Sequence, residues 1–240
     1  MLAARLAVGG PPFLTDDPEP VDYHHGEFYV SSQVSHDSDG WSGTSPHAEA
    51  NYGILPDAQL HLIVPVAFTA PDHGTAHVGV GDVEMGLKYR FVSEAENRPQ
   101  VGVFPLVELP TGSHDRGLGS GGAQVFLPLW VQKSVGHWTT YGGAGYGIHS
   151  GEGNRDWWAA GWLVQRQLTG SWTLGAELYR ETAREDGGEA ETRLNVGNII
   201  DLSESSHLLL SAGPVVEGPG GFQAYVGCLL TFGPGKAAVR

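Results

Sequence analysis

From Glu27 onward the chain alternates apolar and polar residues with a period of two, the spacing of strands whose successive side chains point to opposite faces. In "QLHLIVPVAF" one face takes Leu60, Leu62, Val64, Val66 and Phe68, and the other takes Gln59, His61, Ile63, Pro65 and Ala67. In "GDVEMGLKYRF", Val83, Met85, Leu87, Tyr89 and Phe91 alternate with Asp82, Glu84, Gly86, Lys88 and Arg90. "AETRLNVGNII" and "GFQAYVGCLLTF" repeat the pattern, and no window carries a helical period. About twelve such segments of roughly ten residues follow one another, which predicts an all-β fold.

Alternation alone leaves a soluble β-sandwich and a membrane barrel both open. Three features favour an up-and-down antiparallel transmembrane β-barrel. Opposite charges share the polar face: Asp82, Glu84, Lys88 and Arg90 on one segment, Glu191 and Arg193 on another. Connections alternate in length, with tight turns near Leu55–Asp57, Ser134–His137, Thr169–Ser171 and Ser203–Ser206. Longer polar or Gly-rich stretches lie between them, at His36–Thr44, Thr69–Gly79, Pro110–Gly122, Ser150–Asp156 and Ala183–Glu189. That is the arrangement of short periplasmic turns and longer extracellular loops, and an even strand count puts both ends of the barrel on the short-turn side. Aromatic residues mark both strand ends: Phe91, Trp138, Trp172 and Phe232 by the turns, and Phe68, Phe126, Trp158 and Phe222 by the loops. Such residues form the interfacial girdles of a lipid-embedded barrel.

One hairpin is written twice, as "VQKSVGHWTTYGG" from Val131 and "VQRQLTGSWTLGA" from Val164. The register turns Gln132 and Gln165 inward, and Lys133 and Arg166 outward at the membrane edge, where a long basic stem lies in lipid and its charge reaches the headgroups. Trp138 and Trp172 then open the return strands at girdle height.

Composition narrows the function classes. The formal net charge of −14, from 13 basic and 27 acidic residues, argues against a nucleic-acid partner. The lone Cys228 excludes an internal disulfide. No apolar run approaches the roughly 20 residues of a membrane helix. The opening "MLAARLAVGGPP" is shorter than a signal peptide and is expected to be the end of one beginning upstream. Residues 1–25 are therefore expected to be a lead-in, ending in a plug or periplasmic segment from Pro11 to Tyr23. The barrel is expected over 26–232, with a tail over 233–240.

"GLGSGG" precedes a strand rather than a helix, so it is not a dinucleotide loop. The inward glycines of "YGGAGYGI", Gly143, Gly145 and Gly147, either widen a lumen or admit a neighbouring side chain. His24 and His25 near "TDDPEPVD" suggest no specific metal site, and no cofactor is expected.

The phrases "GGPPFLTDDPEPVDYHHGEFYVSSQ", "GDVEMGLKYRF", "VFPLVELPTG" and "WTTYGGAGYGI" resemble a family of bacterial outer-membrane proteins named after the MetA pathway of phenol degradation. The resemblance runs from Gly9 to Phe232. It implies a Gram-negative outer-membrane barrel and, more loosely, passage of small aromatic or hydrophobic compounds.

The expectation is a passive channel with a polar, net-acidic lumen lined by His61, Asp82, Glu84, Lys88, Arg90, Glu108, Glu177, Glu191 and Arg193, with a weak cation preference. Phe91, Lys133, Trp138, Arg166, Trp172 and Phe232 are the expected interface anchors. Expected partners are outer-membrane lipid and lipopolysaccharide, the barrel-assembly machinery and a small-molecule solute. Three alternatives remain: a barrel without a pore, a barrel with a lipid-hydrolysing site on its wall, and the soluble sandwich.

Overall fold

The computed structural model describes residues 10–234. The expected signal-peptide remnant and most of the expected tail lie outside the described residues. The strands are β1 (Gly26–Asp37), β2 (Gly40–Leu55), β3 (Ala58–Pro71), β4 (His77–Val80), β5 (Val83–Val92), β6 (Gln100–Val103), β7 (Leu106–Leu109) and β8 (Gln124–Val135). They continue with β9 (Trp138–His149), β10 (Trp157–Thr169), β11 (Trp172–Glu181), β12 (Glu191–Asp201), β13 (Ser206–Glu217) and β14 (Phe222–Phe232).

All pair antiparallel in sequence order, and β1 closes on β14 from Gly26↔Phe232 to His36↔Phe222. The pieces β4 and β5 share one stave, both against β3, and β6 and β7 share the next, both against β8. The result is a closed barrel of twelve staves. Closure follows from the solvent: hydrocarbon offers no hydrogen bonds, so a spanning sheet must satisfy its backbone without an edge.

The alternation is inverted relative to a soluble protein. Trp162, Leu178 and Val196 stand at mid-strand on the outer wall with 52%, 51% and 56% of their surface exposed. Gln59, Gln132, Gln165, Glu177 and Asn195 are buried inside. A sandwich would bury the apolar face between its sheets, so the soluble reading is overturned. Cys228 also lies on the outward face, in phase with Val226 and Leu230.

The connections alternate largely as the sequence predicts. Leu55–Ala58, Val135–Trp138 and Thr169–Trp172 are tight, and Leu109–Gln124 is the longest, with a 3-10 turn at His114–Arg116. The stretch His36–Thr44 is a correction. β1 and β2 stay paired up to Asp37↔Gly40, so the loop is only Ser38 and Asp39, and Gly40 makes the bend at φ 130°.

The duplicated hairpins sit side by side. Trp138 is paired with Arg166 across β9 and β10, and the guanidinium lies 5.1 Å from the indole ring. Trp172 donates through Nε1 to Asn198 Oδ1 at 2.9 Å. Phe91 and Phe232 stand half-exposed at the same end. Lys133 departs from the expectation of a charge held by headgroups. Its Nζ lies 3.0 Å from Glu94 Oε1 and also donates to the carbonyl of Ala95, because the β5–β6 turn folds beside it. Phe126 is also corrected. It shares the inward parity of Gln124, Trp130 and Gln132, and stacks on Trp157 at 6.0 Å.

Val196→Arg places a charge at mid-strand on the lipid face and is expected to cost about 2–4 kcal/mol, read by reversible unfolding from lipid vesicles. A cost below 1 kcal/mol would mean that this face does not meet hydrocarbon. At the opposite end, Asp156 clasps the β9–β10 loop. It accepts from the Tyr146 hydroxyl at 2.7 Å and from the His149 amide at 3.1 Å. Those bonds, the Tyr146 hydroxyl first, hold its carboxyl below the usual aspartate value. The clasp is therefore complete above the ordinary aspartate range and lost as pH falls through the depressed value. The protection factor of the His149 amide, its exchange measured against the intrinsic rate at each pH, should fall on acidification in the parent, and that fall should vanish in Asp156→Asn.

Candidate pore and the segment that fills it

The lumen is not empty. Residues 10–22 run inside the barrel, and their path is set by polar side chains on its inner wall. Glu177 on β11 accepts the amides of Leu14, at 3.3 Å, and of Thr15, and is itself held by Asn195 Nδ2 at 2.7 Å. Lys88 on β5 reaches across with Nζ 2.8 Å from Asp16 Oδ1 and 3.4 Å from Asp17 Oδ1. Gln100 and Gln132 both donate to Glu19 Oε2, at 2.9 and 3.1 Å, and Gln59 Oε1 accepts the Val21 amide at 2.7 Å. These bonds replace the water that the segment's peptide groups and carboxylates would otherwise hold.

Packing completes the fit. Phe13 is buried with Tyr141 and Leu163. Its ring lies over two glycines: a Cβ at Gly175 or Gly197 would come within 2.7 or 2.6 Å of Phe13 Cζ. A Cβ at Gly161 would strike Thr15. The glycines of β9 serve side chains of the wall instead, with Gly145 under Phe126 and Gly147 under Trp157.

Each residue predicted to line the pore now has a position. His61, Glu84, Lys88, Arg90, Glu108, Glu177, Glu191 and Arg193 have inward parity on their strands. Most are engaged rather than free. Arg90 lies 2.8 Å from Asp57 and 3.9 Å from Glu19. Arg193 pairs with Glu191 and donates to Gln223 at 2.8 Å. Glu108 accepts from Gln124, and His61 Nε2 stands 3.1 Å from Glu84 Oε1.

Asp82 differs from its expected role. It occupies the break between β4 and β5, and its carboxylate accepts from the Gly112 amide and from the Ser120 amide and hydroxyl at 2.7–2.8 Å. It ties down the β7–β8 loop instead of lining an open path.

Two cavities flank the segment. The inner one, about 1090 Å³, lies at the short-turn end, where Gly170, Ser171 and Ser203 border it together with Glu27, Glu49 and His61. The outer one, about 180 Å³, is bounded by Leu14, Phe126, Trp157, Tyr179, Glu108 and Arg184. The Arg184 guanidinium lies 4.5 Å from the Trp157 ring. Phe13, Phe126, Trp157 and Arg184 were not among the residues predicted to line the pore. The inward glycines were the available signal, since small residues repeated on a lumen face make room for something bulky.

The sequence profile of the family described as "Putative MetA-pathway of phenol degradation" matches residues 25–227. No curated protein sequence matches the chain. Among solved structures, an outer membrane channel from Pseudomonas putida F1 superposes with a TM-score of 0.76 at 15% identity, covering 90% of this chain and 98% of that one. The KdgM porin, solved with disordered oligogalacturonate, gives 0.63 at 11% identity, over 86% and 99%. The translocator domain of the autotransporter NalP from Neisseria meningitidis gives 0.57 at 12%, over 87% and 88%. At these identities the likeness is one of fold.

Replacing Lys88 by Met leaves Asp16 and Asp17 buried without their cation, a loss worth about 3–5 kcal/mol to the docked segment. The amides of residues 13–17, Glu19 and Val21 should then exchange hydrogen much faster than in the parent, while the barrel amides keep their protection. Equal protection in both proteins would mean that the ion pairs do not hold the segment.

Proposed function

The chain belongs to the putative MetA-pathway of phenol degradation family, and we propose that it is a passive outer-membrane channel for small solutes, throttled by its own N-terminal segment. The observation that carries this reading is the pair of cavities on either side of that segment, inside a wall that is polar within and apolar without. A barrel built only for support would gain from filling that space with side chains, as small barrels do.

The lumen is net acidic, which favours cations over anions. The outer pocket also suits one aromatic ring bearing a polar group. An apolar cavity of roughly 150 Å³ takes up benzene, and this pocket, of about 180 Å³, adds Glu108, Gln124 and Arg184 to its aromatic rings. Lipid and lipopolysaccharide surround the apolar belt, and the barrel-assembly machinery inserts the chain.

Deleting residues 10–22 should leave a barrel that still shows the heat-dependent gel shift of a folded outer-membrane protein, with single-channel conductance raised several-fold over the full chain. If the deleted barrel is folded and passes no current, the channel reading is wrong and a structural role for the barrel takes its place.

A further inference from the structure

The two cavities approach each other at β5, where one hydrogen-bonded side-chain pair joins their walls. Glu84 borders the outer pocket, His61 borders the inner cavity, and their side chains meet at 3.1 Å. The N-terminal segment passes the same level. Leu14 borders the outer pocket and Asp16, two residues on, borders the inner cavity. Phe104 completes the partition, with its ring edge-on to His61 at 5.2 Å and beneath the Lys88 ammonium at 5.0 Å.

The backbone explains why the partition is thin here. Gly86 lies on β5 between Glu84 and Lys88, and a Cβ there would come within 2.5 Å of Leu106 and 2.8 Å of Phe104. The absent side chain lets Phe104 lie down against the wall, so the septum is one ring and one hydrogen-bonded pair. On the opposite side of the segment, Phe13, Tyr141 and Leu163 pack directly together.

We propose that the His61–Glu84 septum, with Phe104 beside it, is the point at which solutes cross the plugged barrel, and that it selects small cations. This inference rests on the channel reading above. A cation descending from the outer pocket leaves Glu108, meets Glu84, and then meets Glu49, whose Oε1 lies 3.6 Å from His61 Nδ1. The inner cavity continues with Glu27 and Asp22. Two permanent cations stand beside this route, and both are matched: Arg184 at the outer pocket by Glu181 at 2.8 Å, and Lys88 by two carboxylates of the segment. An anion on this route would shed water next to carboxylates, the less favourable exchange in a narrow, poorly solvated passage.

The test uses the full chain in planar bilayers under a potassium chloride gradient, with the gel shift as the check on folding. His61→Ala/Glu84→Ala should at least double the conductance while residues 10–22 remain in place. Phe104→Ala opens the same point from the neighbouring stave and should act in the same direction. Glu84→Gln, which removes the charge at nearly constant size, should move the reversal potential away from the cation-selective side. If the septum variants match the parent in conductance and reversal potential while the barrel lacking 10–22 conducts, solutes cross elsewhere and this inference fails alone. If the barrel lacking 10–22 also fails to conduct, the channel reading falls and takes the septum with it.

Discussion

The backbone hydrogen bond in hydrocarbon governs this protein. A peptide group facing lipid has no water to turn to, so each strand must find a neighbour on both sides and the sheet must close. Closure is made by β1 against β14, a pairing between the two ends of the described barrel, eleven residue pairs long. Once twelve staves are fixed, the lumen is wider than wall side chains can fill. The chain meets that excess width with its own N-terminal segment, so the filling of the pore follows from the closure of the wall.

The filling is specific because the wall offers matched partners at separate heights. Glu177 takes two adjacent amides, Lys88 takes two adjacent carboxylates, and the glutamines at 100 and 132 share Glu19. Glycines at 161, 175 and 197 supply the hollow for Phe13 and Thr15. A segment held by three ion pairs and half a dozen hydrogen bonds stays docked yet remains separable from the barrel, whose own ladder does not depend on it. Two kinds of stability therefore coexist. The wall is held by backbone pairing and the plug by side chains.

Much of the wall was legible in the sequence because the period of two is a direct projection of strand geometry. The parity that puts Gln132 and Gln165 inside also puts Val131, Val164, Lys133 and Arg166 outside. The same parity should have placed Phe126 inside, since it lies six residues before Gln132. Its position near a loop made it look like a girdle residue instead. The Lys133–Glu94 pair was out of reach, because it depends on how the β5–β6 turn folds back. Asp82 was misread for a related reason: a carboxylate at a strand break can look to the lumen or to a loop, and only the path of Gly112 and Ser120 decides. The segment Pro11–Tyr23 has no period at all. Composition alone leaves it open as a plug or a periplasmic segment, because the partners of its acidic residues lie on strands 70 to 115 residues away.

Charge counting along the sequence predicts an acidic lumen, but most of the inward carboxylates already have partners. A carboxylate that accepts backbone amides, as Glu177 does, has little negative potential left for a passing ion. A lysine that meets two aspartates has little positive potential. Selectivity must therefore come from the few groups whose partners leave them a share of their charge along an accessible surface. Glu84, Glu49 and Glu108 meet that condition: their hydrogen-bond partners are a histidine, an asparagine and a glutamine, and Arg184, which borders the pocket of Glu108, is paired with Glu181. All three lie on the side of the lumen away from Phe13. On the proposed route, the segment's two aspartates take up Lys88 and leave the passage to the carboxylates.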